Sequence, residues 1–172
     1  MSLPPTEKEL DLALAHELTS SAEFLQWFLS HTKFANRSAV ATSCRADHPW
    51  GTHPFPATDP TKGAALDTKR QSETDVLLIL RAHDGEVLGV HIENKIGSGH
   101  FTANQPGMYW HRAKHWVKNS HYGGYTDFDT VLLAPAAFAG KNAAQAKHFG
   151  CFISHEDVAT HVSLFGGHRG DA

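Results

Sequence analysis

Cysteine is scarce in this sequence, with Cys44 and Cys151 as the two thiols of the 172-residue chain. Two cysteines cannot form a multi-disulfide framework or give four thiolates to a structural zinc ion, so both kinds of cysteine-rich protein are excluded. A chain of this length can instead bury one ordinary hydrophobic core. We therefore expect a single domain over 1–172, in the reducing environment of the cytoplasm.

Long hydrophobic runs are also missing. The longest aliphatic run, Val76–Leu80, is much shorter than the roughly 20 residues that a membrane-spanning helix needs. The first residues, Met1 to Lys8, lack the apolar core of a signal peptide. We expect no association with a membrane.

Positive charge is not in excess, since 15 Lys and Arg residues stand against 18 Asp and Glu residues, for a formal net charge of −3. A protein that binds nucleic acid through bulk charge is normally basic, so that class is excluded. Any contact with phosphate requires a local patch or a bound metal ion. Histidine is frequent, with 14 residues, and many of them gain charge below about pH 6.5, so any affinity for nucleic acid should rise on acidification.

The pattern of apolar residues predicts an α/β fold. Residues 6–30 have helical spacing behind a capping pair, Thr6 and Glu9, but the hydroxyl residues at 19–21 leave open whether this is one helix or two. Residues 46–72 hold four of the eight prolines and show no sustained period, which predicts a long surface loop. Further helices are predicted at 103–119, 140–147 and 155–164, and strands at 38–45, 129–134 and 149–153. The alternation indicates a mixed central sheet flanked by helices.

Two apolar segments, 73–82 and 86–96, flank His83-Asp84-Gly85 and predict a β-hairpin. A two-residue turn would set apolar residues of the first strand opposite polar ones of the second. A three-residue loop with Gly85 in the left-handed conformation instead pairs apolar residues throughout. Those pairs are Val76 with Ile92, Leu78 with Val90, and Leu80 with Leu88.

This register brings chemistry to the other face of the hairpin. It places Asp75 opposite Glu93, and Lys95 lies two residues farther along on the same side. Two carboxylates are hard oxygen ligands of the kind that hold Mg²⁺ or Mn²⁺. A lysine beside them can orient or help deprotonate an attacking water and can neutralise charge on a phosphate. The ion would then supply the positive charge that the acidic chain lacks.

The set formed by Asp75, Glu93-Asn94-Lys95, and Gln105 with Tyr109 four residues later resembles the PD-(D/E)XK nuclease superfamily, which has the restriction-endonuclease-like fold. The resemblance covers about residues 73–115, and more weakly the first helix, strand 130–134 and residues 152–154. It implies an αβββαβ core. It departs from the family pattern at Thr74, where a proline often stands, and at Pro106, where an aliphatic residue is usual.

The resemblance also implies roles for individual residues. The metal ligands would be Asp75, Glu93, the main-chain carbonyl of Asn94, and an acid on the first helix, for which Glu7 matches best and Glu17 is a substitute. Lys95 would be the catalytic lysine and Gln105 a helper at the site. The competing interpretation is an ordinary salt bridge between Lys95 and an acid on a solvated sheet face.

Cationic residues on the predicted helix 103–119 allow two further hypotheses. Arg112, Lys114 and Lys118 could contact phosphates beside the site without reading sequence. His111 and His115 are four residues apart and could share a zinc ion, although a solvated helix face is the better explanation for them.

The sequence thus predicts a nuclease that uses Mg²⁺ or Mn²⁺ to hydrolyse phosphodiester bonds, in DNA rather than RNA. The alternative is a module of the same fold that binds nucleic acid or a protein partner without cutting. Cleavage of both strands of a duplex would require two sites, so a homodimer is a further possibility.

Overall fold

A computed structural model describes residues 3–58, 65–97, 99–102 and 104–167, with the backbone alone for 55–58 and 65–70. The helices are α1 (Glu7–Ser20), α2 (Ala22–Leu29), α3 (Gln105–His115), α4 (Ala136–Lys141), α5 (Ala143–Ala146) and α6 (His155–Ala159). The strands are β1 (Ala39–Arg45), β2 (Trp50–Thr58), β3 (Ala65–Glu73), β4 (Val76–Ala82), β5 (Val87–Asn94), β6 (Asp127–Ala134) and β7 (Cys151–Ser154).

Five strands form a mixed sheet in the order β1-β4-β5-β6-β7. The pairs β1–β4 and β4–β5 are antiparallel, whereas β5–β6 and β6–β7 are parallel. Helices flank this sheet, so the predicted α/β class is confirmed. The assignment of the chain to a single domain stays a prediction.

The predicted hairpin register is confirmed. In the structure β4 and β5 pair Val76 with Ile92, Leu78 with Val90, and Leu80 with Leu88. Gly85 has φ +88°, the left-handed conformation that the three-residue loop requires and that glycine adopts without a steric cost. Even-numbered residues of the hairpin pack against the core that contains α1 and α2, whereas Leu77 and Ile79 face the side of Trp116 and Tyr125.

The first helical region is two helices. Thr6 and Glu9 form the predicted capping box at the start of α1. The chain leaves the helix at Ser21, whose side chain accepts a hydrogen bond from the Phe24 N–H and so caps α2. The hydroxyl cluster therefore marks a break, and both helices bury their apolar side chains against the sheet.

The expected long loop at 46–72 is wrong for most of its length. Strands β2 and β3 pair in antiparallel register from Trp50 with Glu73 to Thr58 with Ala65, as a separate two-stranded ribbon. The loop was predicted from the prolines of this segment, but prolines are compatible with the edge of a strand. Pro54 and Pro56 lie two residues apart, so their missing donors share one edge of β2, and a ribbon strand leaves one edge unpaired. Residues 59–64 of the predicted loop lie outside the described residues.

The predicted helices 103–119 and 155–164 are shorter in the structure, and the predicted helix 140–147 begins earlier, at Ala136. The first begins at Gln105 and ends at His115, and Lys118 beyond it has φ +62°. Residue 103 lies outside the described part of the chain. The second region is split into α4 and α5, and the third ends at Ala159 before a 3₁₀ turn at Ser163–Gly166.

Candidate metal centre

The candidate residues meet at the open end of the β4–β5 hairpin, away from its turn. Asp75 immediately precedes β4, Glu93 is near the end of β5, and Lys95 follows that strand. Helix α3 covers this face and begins there with Gln105. The predicted register therefore brings Asp75, Glu93, Lys95 and Gln105 into one region, as expected.

Glu93 is the centre of the constellation. One carboxylate oxygen, Oε1, forms an ion pair with Lys95 Nζ at 2.7 Å and accepts a hydrogen bond from Gln105 Nε2 at 2.8 Å. The side chain is 1% exposed, and the other oxygen, Oε2, is buried with no hydrogen-bond partner among the described residues. A buried carboxylate oxygen without a partner is costly unless a cation or a donor is supplied to it.

The salt bridge between Lys95 and Glu93 exists, but it is not on a solvated face. The side chain of Lys95 is 12% exposed and its Nζ lies 5.6 Å from the centroid of the Phe101 ring. The face that carries the pair is covered by α3. An exposed surface ion pair, which was the competing interpretation, therefore does not describe this arrangement.

Asp75 forms hydrogen bonds with the partner strand of the hairpin, β5, and with helix α3. Its Oδ2 accepts a hydrogen bond from the Asn94 N–H at 2.9 Å, and its own N–H donates to the Tyr109 hydroxyl at 3.1 Å. Burial, together with the nearby Glu93 carboxylate, raises the pKa of Asp75 to about 9. Without a bound cation, Asp75 therefore keeps a proton at neutral pH.

The acid of the first helix that contacts this region is Asp11, which the sequence analysis missed. Its side chain is fully buried, and Oδ1 accepts a hydrogen bond from Asn94 Nδ2 at 2.8 Å. Burial raises the pKa of Asp11 despite the hydrogen bonds from Asn94 and His48. A signal was present, since Asp11 lies on the same helical stripe as Leu14 and Leu18, where a polar residue needs a partner.

Glu7, the predicted first-helix ligand, lies one turn before Asp11 and is half-buried. Burial and the charges of Asp11 and Glu93 raise the pKa of Glu7, and the charge of Lys95 opposes them. Glu7 thus belongs to the same electrostatic region, and its role as a ligand stays a prediction. Nothing in the described structure gives Glu17, the substitute, a contact with the site.

The side chain of Asn94 has a structural role, whereas the sequence analysis considered only its main-chain carbonyl, as a metal ligand. Its side chain bridges α1 and α6, donating to Asp11 and accepting at Oδ1 from His155 Nε2 at 2.8 Å. Burial lowers the pKa of His155 to about 4, so this imidazole is neutral and donates through Nε2. The predicted use of the Asn94 carbonyl as a metal ligand stays a prediction.

A second group of possible ligands adjoins Asp75. His48, Glu73 and Asp75 each offer a ligand atom, and these atoms lie within 4.8 Å of one another, close enough to hold a metal ion. His48 Nε2 is 3.0 Å from Asp11 Oδ2, while Nδ1 is 3.3 Å from Glu73 Oε1 and 3.8 Å from Asp75 Oδ1. Asp11 therefore orients the ring so that Nδ1 faces the two other carboxylates.

The protonation of the His48 imidazole depends on Asp11 and Glu73. Burial lowers the pKa of His48, but the hydrogen bonds to Asp11 and Glu73 outweigh burial, so the pKa lies above its usual value. The residue also has φ +54°, a conformation that non-glycine residues adopt rarely. The sequence offered no signal for His48. Glu73 could have been found, because it lies two residues before Asp75 and so on the same side of an extended chain.

Negative charge exceeds positive charge across the whole centre. Its carboxylates are those of Glu7, Asp11, Glu73, Asp75 and Glu93, and its cationic side chains are Lys95 and His48. Oxygen-rich sites with excess negative charge suit hard divalent cations. The residues present therefore fit a divalent ion.

The start of α3 carries both Gln105 and Pro106. The Gln105 side chain accepts at Oε1 from the Thr102 N–H at 3.1 Å, and the Gln105 N–H donates to the Thr102 carbonyl, so the two residues close the turn that leads into α3. Asn104 is the N-cap residue but makes no side-chain cap bond. Pro106 lies at the start of the helix, where a missing N–H costs nothing.

The predicted phosphate contact at Arg112 is wrong. Its side chain is 1% exposed, packs over the Tyr109 ring at 4.2 Å, and donates through Nε to the Thr74 hydroxyl and through Nη1 to the Ser72 hydroxyl. The helical stripe that contains Tyr109 and Trp116 carries Arg112 inward. Lys114 and Lys118 are exposed, and their predicted phosphate contacts stay predictions.

The zinc hypothesis for His111 and His115 gains no support. Within the described ranges, the single group of three or more His, Cys, Asp or Glu side chains close enough to share an ion is that of His48, Glu73 and Asp75. Neither histidine of α3 belongs to it. Across the described helices, no segment combines the length and the hydropathy needed to span a membrane.

No protein-family model, curated protein or solved structure matches this chain. Any function must therefore be argued from the residues themselves.

Proposed function

We propose that this protein is a nuclease that uses a divalent ion, Mg²⁺ or Mn²⁺, to hydrolyse phosphodiester bonds in DNA, on a restriction-endonuclease-like core. The observation that carries the proposal is Glu93. One of its oxygens is held by Lys95 and Gln105, and the other is buried without a partner in the described part of the chain. A salt bridge alone would not require the second oxygen to be left unpaired.

The protonation of Asp75 supports the same proposal. A carboxyl with a pKa of about 9, surrounded by other acids, is an unfavourable arrangement in the absence of a cation. An ion bound between Asp75 and Glu93 would relieve it, with Glu7, Glu73 and His48 as the nearby additional donors. Such an ion would polarise the phosphate and lower the pKa of a bound water.

The remaining side chains have distinct roles in this proposal. Lys95 orients the attacking water and offsets the charge that develops on the phosphate. Gln105 fixes the Glu93 carboxylate through its amide N–H, and Tyr109 fixes the backbone at Asp75. Asp11 holds His48 with Nδ1 facing the centre.

The test is cleavage of labelled single-stranded DNA, duplex DNA and RNA with Mg²⁺, with Mn²⁺, or with EDTA. We expect cleavage that requires the ion and that Glu93→Gln and Lys95→Met each reduce by at least about a hundredfold, the scale of a lost general acid–base or electrostatic group. Asp84→Asn is the matched control, because Asp84 is an exposed acid at the turn end of the same hairpin.

Two results would contradict the proposal. One is activity that persists in both centre variants. The other is binding of the ion without cleavage of any substrate, which would favour the alternative of a non-cutting module. Circular dichroism of each variant shows whether the fold is retained.

A further inference from the structure

Two cavities adjoin at the candidate metal centre and share Arg45, Asp47 and His48. The first, of about 770 Å³, lies between α1 and the end of β1. The second, of about 370 Å³, continues from the shared residues to Trp50 and His121. We call the two together the strand groove. His48, whose Nδ1 faces Glu73 and Asp75, lies between its two ends.

The walls of the strand groove are apolar at both ends. Leu12 and Ala15 of α1 line one end together with Cys44, and the Leu12 side chain is 53% exposed. Trp50 lines the other end and is 63% exposed, which is unusual for so large an apolar side chain. Leu12 and Trp50 belong to none of the hydrophobic clusters of the described residues, whereas Cys44 also packs against the main core.

Cationic groups accompany the apolar walls. Lys8 lines the first cavity and belongs to none of the ion pairs that the described residues form. Arg45 lies at the junction, where Asp47 binds its guanidinium at 3.1 Å and its Nη1 donates to the His121 carbonyl. The groove therefore joins Lys8, and an arginine that Asp47 already pairs, to surfaces on which flat rings can pack.

We propose that the strand groove binds a segment of single-stranded nucleic acid, with unpaired bases against Leu12 and Trp50 and the backbone beside Lys8 and the metal centre. This inference rests on the proposed nuclease function and specifies its substrate. Positive charge along the backbone combined with aromatic stacking is the arrangement by which proteins bind single strands. A duplex does not fit this chemistry, because base pairing and stacking hide the faces that Leu12 and Trp50 would contact.

The experiment is fluorescence anisotropy with a fluorescein-labelled oligodeoxynucleotide, single-stranded or annealed to its complement, in Mg²⁺. Every protein compared carries Lys95→Met, which keeps the carboxylates that would hold the ion while suppressing cleavage. We expect the single strand to bind at least tenfold more tightly than the duplex. Trp50→Ala should weaken binding of the single strand by about fivefold or more, the effect of one lost stacking contact. Leu12→Glu should weaken it as well.

Each variant has a matched control. Trp110→Ala removes another exposed tryptophan, 42% exposed and on α3, and Leu3→Glu adds the same charge at another exposed leucine. Both controls should bind the single strand as the unaltered protein does. Because Trp50, Leu12 and Leu3 are exposed, thermal unfolding should be unchanged in their variants. Trp110→Ala removes a ring contact with Phe128, so it should lower the unfolding temperature without weakening binding of the single strand.

The outcomes separate this inference from the proposed function. Equal affinity for duplex and single strand, or equal effects of Trp50→Ala and Trp110→Ala, would overturn the groove while leaving metal-dependent cleavage untouched. Binding that depends on Trp50 without any cleavage would support the groove and refute the nuclease.

Discussion

Raising the pH from 7 to 8 should tighten the binding of Mg²⁺ about tenfold, because Asp75 has to release a proton before it can act as a ligand. The pKa of Asp75 is about 9 in the ion-free protein. At pH 7 deprotonation therefore costs about 3 kcal/mol, because each of roughly two pH units is a tenfold change in the protonation equilibrium. The cost falls by one such step per pH unit and vanishes above about pH 9, where the affinity should stop rising.

Isothermal titration calorimetry measures this directly. Titrations of Mg²⁺ at pH 7 and pH 8 give the change in Kd, and titrations in Tris and in HEPES give the number of protons released per ion from the difference in buffer heat. We expect close to one proton at pH 7. His48 also has a raised pKa, so His48→Gln is needed to remove its contribution, and the release from Asp75 should remain.

The reasoning would be refuted by a Kd for Mg²⁺ that is the same at pH 7 and pH 8, together with equal heats in the two buffers. Asp75→Asn supplies the control, since an amide cannot release this proton or replace the carboxylate as a ligand. It should show neither measurable binding of Mg²⁺ nor buffer-dependent heat.

Three other predictions follow from the same contacts. In EDTA, Asp75 is protonated in the folded protein, and the stability of the fold decreases as the pH rises toward the pKa of about 9. Asp75→Asn should therefore melt at a higher temperature than the unaltered protein at pH 8 but not at pH 4. Arg112→Met should lower the free energy of unfolding in urea by about 1–3 kcal/mol, because buried hydroxyls lose their donor; Lys114→Ala should not. Asp11→Asn should weaken Mg²⁺ binding about tenfold or more, as loss of a group that orients a ligand does, and an unchanged Kd in calorimetry would contradict this role for Asp11.

Local rules predicted the hairpin and the side of it that carries the acids. Residues alternate between the two faces of a strand, so one register buries every apolar pair and fixes where Asp75 and Glu93 point. The left-handed Gly85 and the capping pair of Thr6 and Glu9 are equally local. The same alternation would have found Glu73, because it lies in the predicted strand 73–82 on the side of Asp75, although in the structure it is the last residue of β3.

The parts that sequence reasoning missed depend on contacts between distant segments. Nothing local shows that β2 and β3 pair, because Pro54 and Pro56 are acceptable only if one edge of β2 is left without a neighbour. His48 and Asp11 lie 37 residues apart and meet only once α1 packs against the sheet. For Arg112 the error was local. Its charge suggested an exposed side chain, but its position on the same helical stripe as Tyr109 indicated that it faces inward.

Gln105 serves the backbone and the centre with one side chain, since its Oε1 accepts from the Thr102 N–H while its Nε2 donates to Glu93. Fraying of the start of α3 would therefore remove one of the two contacts that hold Glu93 Oε1, leaving the ion pair with Lys95. Occupancy of the centre and the local opening of this helix end are thus thermodynamically linked. The exchange rate of the Thr102 amide hydrogen with solvent becomes a reporter of an ion that the amide never touches.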